Sequence, residues 1–136
     1  MEQTGTTEKM TYHIYFDQPR KYVVMEWNGY ANSAEFRAGT EKMLSELEQH
    51  GASKVLADIK NMVLIAQNDQ AWLLDYFIPK AIERGFKRIA LIKPDHYFNQ
   101  VALEEIFRKM DREKLEMEIF NGRDEAGAWL NNDHDC

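Results

Sequence analysis

The sequence predicts an α/β fold built on a mixed five-stranded sheet, and three observations carry that reading. Two short apolar runs, Ser53-Lys-Val-Leu-Ala-Asp-Ile59 and Arg88-Ile-Ala-Leu-Ile92, are joined by a helix-length aromatic segment ending at Gly85, which is the pattern of a βαβ unit with parallel pairing. Upstream, Tyr12–Asp17 and Lys21–Asn28 flank Gln18-Pro-Arg20, where the proline presets a turn and the two flanks read as an N-terminal β-hairpin. Downstream, Leu115-Glu-Met-Glu-Ile119 alternates apolar and charged residues, as does a strand with one wet face at a sheet edge.

Helices fill the intervals. Asn32 followed by Glu35 has the spacing of a capping box, Phe36, Met43, Leu44 and Leu47 recur at helical spacing, and Gly51 suits a left-handed end, so a first helix is expected over 32–50. A second begins near Asp69 and carries Ala71, Leu74, Ile78, Ala81 and Ile82 on one stripe with Trp72, Tyr76 and Phe77 beside it. Pro79 lacks a backbone donor and crowds the carbonyl of Asp75, so this helix should kink or split near Phe77. A third, Tyr97 to Glu113, is expected to turn Phe98, Val101, Ala102, Ile106 and Met110 inward. Arg123–Leu130 is a short last helix, docking through Ala126, Trp129 and Leu130. The order is ββαβαβαβα with about four helices.

Composition bounds the function. The 136 residues, 44% hydrophobic and 12% aromatic, suffice for one core, read as a single domain over 11–131 with flexible tails at 1–10 and 132–136. Seventeen Lys and Arg against 23 Asp and Glu leave a net charge of −6, the wrong sign for a nucleic-acid partner. The single cysteine, Cys136, excludes an internal disulfide framework and a multi-cysteine metal site. No apolar run reaches bilayer length, so no stable membrane insertion is expected and the cytoplasm is the expected compartment. No sequence motif calls for a cofactor. Asp133-His-Asp-Cys136 has metal-ligating residue types, but a tail offers no preorganised geometry, and no metal site is expected there.

Trp72 with Tyr76-Phe-Ile-Pro79, Gly85-Phe-Lys-Arg-Ile-Ala90 and Glu125-Ala-Gly-Ala-Trp-Leu130, in this element order, resemble the SpoIIAA-like branch of the STAS superfamily from Tyr12 to Leu130. The resemblance implies a STAS-type sheet and a regulatory, non-enzymatic role. In the anti-sigma-factor antagonists of that superfamily, a serine at the start of the helix after the second long strand is phosphorylated. Here Asp58–Asp69 contains neither Ser nor Thr, so the resemblance implies a member without that switch. The branch is also similar to lipid-transfer domains of the CRAL-TRIO kind, which implies room for an acyl chain beneath the helices.

Three groups of residues are candidates for a site. Trp27, Trp72, Tyr76, Phe77 and Trp129 are either ordinary core or the lining of an apolar pocket beside the Pro79 kink. Met62-Val-Leu-Ile65 either packs under the second helix or forms a dimer or partner interface. Asp58, Lys60, Asn61, Lys93, Asp95 and His96 follow strand ends, where solvated charge is the ordinary reading and acid–base chemistry the sharper one. No nucleophile elbow, phosphate loop or paired catalytic motif accompanies them, so no catalytic residue is assigned. The expected function is a non-enzymatic binding or regulatory module acting as a homodimer or on a protein partner. The alternative is a carrier of a small apolar ligand, a fatty acid or lipid.

Overall fold

The computed structural model describes residues 11–132. The segment 1–10 and Asp133–Cys136, read above as tails and as weak metal-ligand types, lie outside the described residues. The sheet runs in the order β1 (Thr11–Asp17), β2 (Tyr22–Gly29), β3 (Lys54–Met62), β4 (Arg88–Ile92), β5 (Glu116–Phe120). β1 and β2 pair antiparallel as the expected hairpin, and every later neighbour pairs parallel.

Because each parallel crossover steps the sheet in the same direction, right-handed connections put their helices on one face. That face carries α1 (Ser33–His50), the helical stretch from Gln67 to Glu83, and α4 (Tyr97–Lys109). Beneath them lies the large core of Trp27, Met43, Leu47, Phe77, Leu103 and Met117 among others. The last helix, α5 (Arg123–Asn131), follows the edge strand and closes the opposite face over Val24, Leu56, Ala90 and Ile92. With 67–83 counted as one helix, the described residues form four.

α1 begins as expected. The Asn32 side chain accepts from the Glu35 N–H and the Glu35 carboxylate from the Asn32 N–H, and Gly51 closes the helix at φ 62°. The second helix starts two residues early and resolves the proline by widening. It runs as α2 (Gln67–Trp72), a π-helical turn (Leu73–Phe77) and α3 (Ile78–Glu83). The Ile78 N–H reaches back five residues to the Leu73 carbonyl, so the extra residue relieves the turn that Pro79 would otherwise crowd.

Two expectations need correcting. β3 does not end at Ile59: a register shift between Glu26/Asp58 and Asn28/Asn61 extends it to Met62. The extra residue lets Ile59 and Met62, three apart, both point into the core, which regular alternation forbids. Asp58 therefore lies inside the strand rather than after it. The third helix stops at Lys109, where Met110 is extended, and its face is rotated: Asn99, Ala102, Leu103 and Ile106 are inward, while Phe98 and Val101 are exposed. Asn99 sets that rotation. Fully buried, it donates from Nδ2 to the Met62 carbonyl at 3.3 Å and accepts at Oδ1 from the Ile65 N–H at 3.0 Å.

Candidate binding sites on the two ends of the helical layer

Asn99 fastens the loop after β3 to the first turn of α4, and the Asp95 N–H donates to the Lys60 carbonyl at 2.9 Å. These bonds bring the loops after β3 and β4 into one rim at the C-terminal ends of the strands. On it stand Tyr97, 68% exposed, and Phe98, 72% exposed, with Val101 one turn on. Of the four apolar residues read as an interface, Met62 and Ile65 belong to the chain's own core, while Val63 and Leu64 stay half-buried. They do not form a four-residue exposed patch, because the extended β3 and the Asn99 clamp pull both ends inward.

Among the described residues, the side chains of the polar residues at these strand ends form no hydrogen bond or ion pair with one another. Asp58 gives one carboxylate oxygen to the Lys60 N–H at 3.2 Å and the other to Arg123 at 3.0 Å. Asn61 pairs with Asn28 at 3.2 Å. Among the described residues, no side-chain hydrogen bond or ion pair engages Lys60, Lys93, Asp95 or His96, all of them exposed. Arg123 also bonds Glu26, which ties α5 to β2 and β3. Partial burial works against its charge, but hydrogen bonds with Glu26, Asp58 and Tyr15 outweigh that and hold its pKa above the usual arginine value. Among the described residues no group of His, Cys, Asp and Glu could hold a metal ion.

The aromatic set splits as well. Trp27 and Phe77 are buried on the three-helix face, and Trp72, half-buried, stacks on Phe77 with ring centroids 5.3 Å apart. Tyr76 points outward beneath Lys80, which binds Glu41 on α1 at 2.7 Å. The Glu41 hydrogen bond raises the Lys80 pKa. Trp129 stands on the opposite face, against Phe120 and under the Arg88 guanidinium. The five therefore cannot line one pocket.

An apolar cavity of about 90 Å³ does lie between the helical layer and the sheet, lined by Trp27, Phe77, Leu73 and Ile78. Its walls also include Met25, Met43, Met62, Met110 and Met117, every methionine among the described residues. Helical spacing marks Met43 and Met110 and strand alternation marks Met117, whereas Met62 reads equally as core or interface, so the shared lining follows from the fold. The other network missed from sequence is Asp69, 2% exposed, which accepts from Ser33 Oγ and Arg37 Nε at 3.0 Å each and so pins the start of α2 to α1.

The sequence matches the SpoIIAA-like family over residues 22–131. This chain belongs to that family. No curated protein matches it. Among solved structures it is similar to an uncharacterized protein with a SpoIIAA-like fold from Shewanella loihica, at 19% identity and a TM-score of 0.59, with 89% of this chain and 93% of that one covered. It is equally similar in shape to an anti-sigma factor antagonist from Mycobacterium paratuberculosis, at 7% identity and a TM-score of 0.59, covering 92% and 97%. At these identities the likeness is one of fold. The SpoIIAA-like sheet with its N-terminal hairpin and four helices is the architecture expected from the sequence. No helix of the described residues is long and apolar enough to cross a membrane.

Proposed function

We propose that this SpoIIAA-like chain is a non-enzymatic binding and regulatory module, cytoplasmic and homodimeric, that works without the phosphoserine switch of anti-sigma-factor antagonists. The observation that carries the reading is the rim at the strand C-termini. Tyr97 and Phe98 present two large, mostly exposed rings on a helix turn that Asn99 ties to the backbone of Met62 and Ile65, which flank Val63 and Leu64. Exposed aromatics grouped on a fixed surface suit protein docking, where they contribute area at little entropic cost. Ile59–Asn68, which leads into α2, carries no hydroxyl side chain, so a phosphate has no acceptor there. Against catalysis stands Asp58, whose two oxygens are committed to Arg123 and the Lys60 N–H.

Light scattering on wild type and on the double variant Leu64→Asp, Phe98→Asp tests the surface. Two charges placed on the rim convert dimer to monomer if the rim is the interface, while a dimer mass unchanged by the substitutions moves the interface elsewhere. A monomeric wild type ends the homodimer reading.

A second reading has its own observation. The methionine-lined cavity favours a carrier of a small apolar ligand, because thioether side chains repack around varied shapes. At about 90 Å³ it holds part of an acyl chain rather than the whole.

A further inference from the structure

A surface cleft of about 440 Å³ separates the Pro79 segment from the C-terminal end of α4. Its walls are Leu74, Ile78, Pro79 and Ile82 on one side and Lys109, Met110 and Lys114 on the other. Ile78 and Met110 line both this cleft and the buried cavity. These two side chains therefore stand between a partly polar space and an apolar one.

The partition is built to give way. Met110 is half-buried and sits where α4 has already unwound, at φ −82° and ψ 145°, so its unbranched side chain can change rotamer without disturbing a helix. Ile78 directly follows the π-helical turn, a wide and less regular piece of backbone.

We propose that cleft and cavity form one site for a medium-chain monocarboxylic acid, which enters tail first between Ile78 and Met110 and leaves its carboxylate at Lys114. This rests on the carrier reading and adds the ligand class, the passage and the head-group contact. An apolar cavity of ~150 Å³ takes a benzene ring, about 25 Å³ per carbon, so the inner cavity of about 90 Å³ holds the last three or four carbons. The cleft accommodates the rest. The head group follows from the rim of the cleft: Lys109 is drawn toward Glu105 at 3.7 Å, whereas among the described residues no carboxylate pairs with Lys114. Asp75, Glu83 and Asp111 also border the cleft, and their charge repels a multiply charged phosphate head more strongly than a single carboxylate.

Calorimetric titration of the full chain with decanoate and with decanol, on wild type, Met110→Trp and Lys114→Glu, tests this, with thermal melts to check folding. Decanoate is expected to bind wild type, and Met110→Trp to abolish binding of both probes by blocking the passage. Lys114→Glu should weaken decanoate by about fivefold, as for an exposed charge pair, and leave decanol unchanged. If Met110→Trp melts early, Ile78→Phe narrows the same passage from the opposite wall and takes its place. Decanoate binding that is indifferent to the passage variant overturns the site. Decanol binding without decanoate, or decanoate binding indifferent to Lys114→Glu, overturns the acid assignment but leaves an apolar carrier standing. No binding of either probe ends both.

Discussion

The two faces of the sheet are covered by different physical means. The three-helix face is wide and apolar, filled with adaptable methionines, interrupted by a π-helical turn, and incompletely packed. The α5 face is narrow, and small residues and charges hold it together. Ala126 and Leu130 sit directly on Leu56, Ala90 and Ile92, Gly127 lies against the Tyr22 hydroxyl, Arg123 ties the helix start to Glu26 and Asp58, and Arg88 holds its end through the Trp129 and Asn132 carbonyls. Burial beneath α5 raises the Tyr22 pKa. A single short helix has little apolar area to offer, so electrostatic anchoring supplements it. The broad face has area in excess and tolerates a void.

Two buried alanines on neighbouring strands give the largest contrast. Ala90 faces α5 with no exposed surface, and Ala57 lines the cavity. Ala90→Val should destabilise by about 2 to 3 kcal/mol, since two added methyl groups have nowhere to go. Chemical denaturation measures it, and a neutral result would mean that α5 is as loosely seated as the other helices.

Next comes Arg123→Met, which leaves Glu26 and Asp58 as like charges on adjacent strands. The cluster is partly exposed, so the expected loss is about 1 to 2 kcal/mol and shrinks in high salt. A salt-independent loss would point to packing of the side-chain stem instead.

Gly39→Ala sharpens where the looseness ends. In the middle of α1 alanine is the better helix former by about 1 kcal/mol, yet a Cβ here would stand 2.5 Å from the Trp27 ring. A net destabilisation of roughly 1 kcal/mol is expected. A gain would show that the Trp27 end of the three-helix face is as yielding as the cavity.

The smallest effect has the opposite sign. Ala57→Val adds atoms where space exists and should stabilise by about 0.5 to 1 kcal/mol.

This contrast was only partly legible in the sequence. Hairpin, parallel strands, capping box and edge strand each had a local signal, because turn residues and period-two or helical spacing act within a few positions. What escaped depended on contacts distant in sequence. The inward turn of Asn99 exists for the backbone of Met62 and Ile65, yet Asn99, Ala102, Leu103 and Ile106 already had helical spacing once a buried amide is allowed. The bulge that lengthens β3 shows only against its partner β2. Pro79 announced a distortion, but whether the helix kinks, breaks or widens depends on what lies beneath it. The aromatic residues were visible as a group, whereas their division between two faces, with Trp129 apart from Trp27 and Phe77, follows from topology.

The central claim is that the apolar void lies on the three-helix face, whereas the space beside α5 is a polar surface cleft. Methyl NMR of the protein labelled at methionine, leucine and isoleucine, recorded under xenon pressure, tests it directly, since xenon enters dry apolar cavities. The methyl signals of Met25, Met43, Met62, Met110 and Met117 are predicted to shift together, while those of Leu56, Ile92 and Leu130 beneath α5 stay in place. Shifts of equal size on both faces, or none at the five methionines, would contradict it.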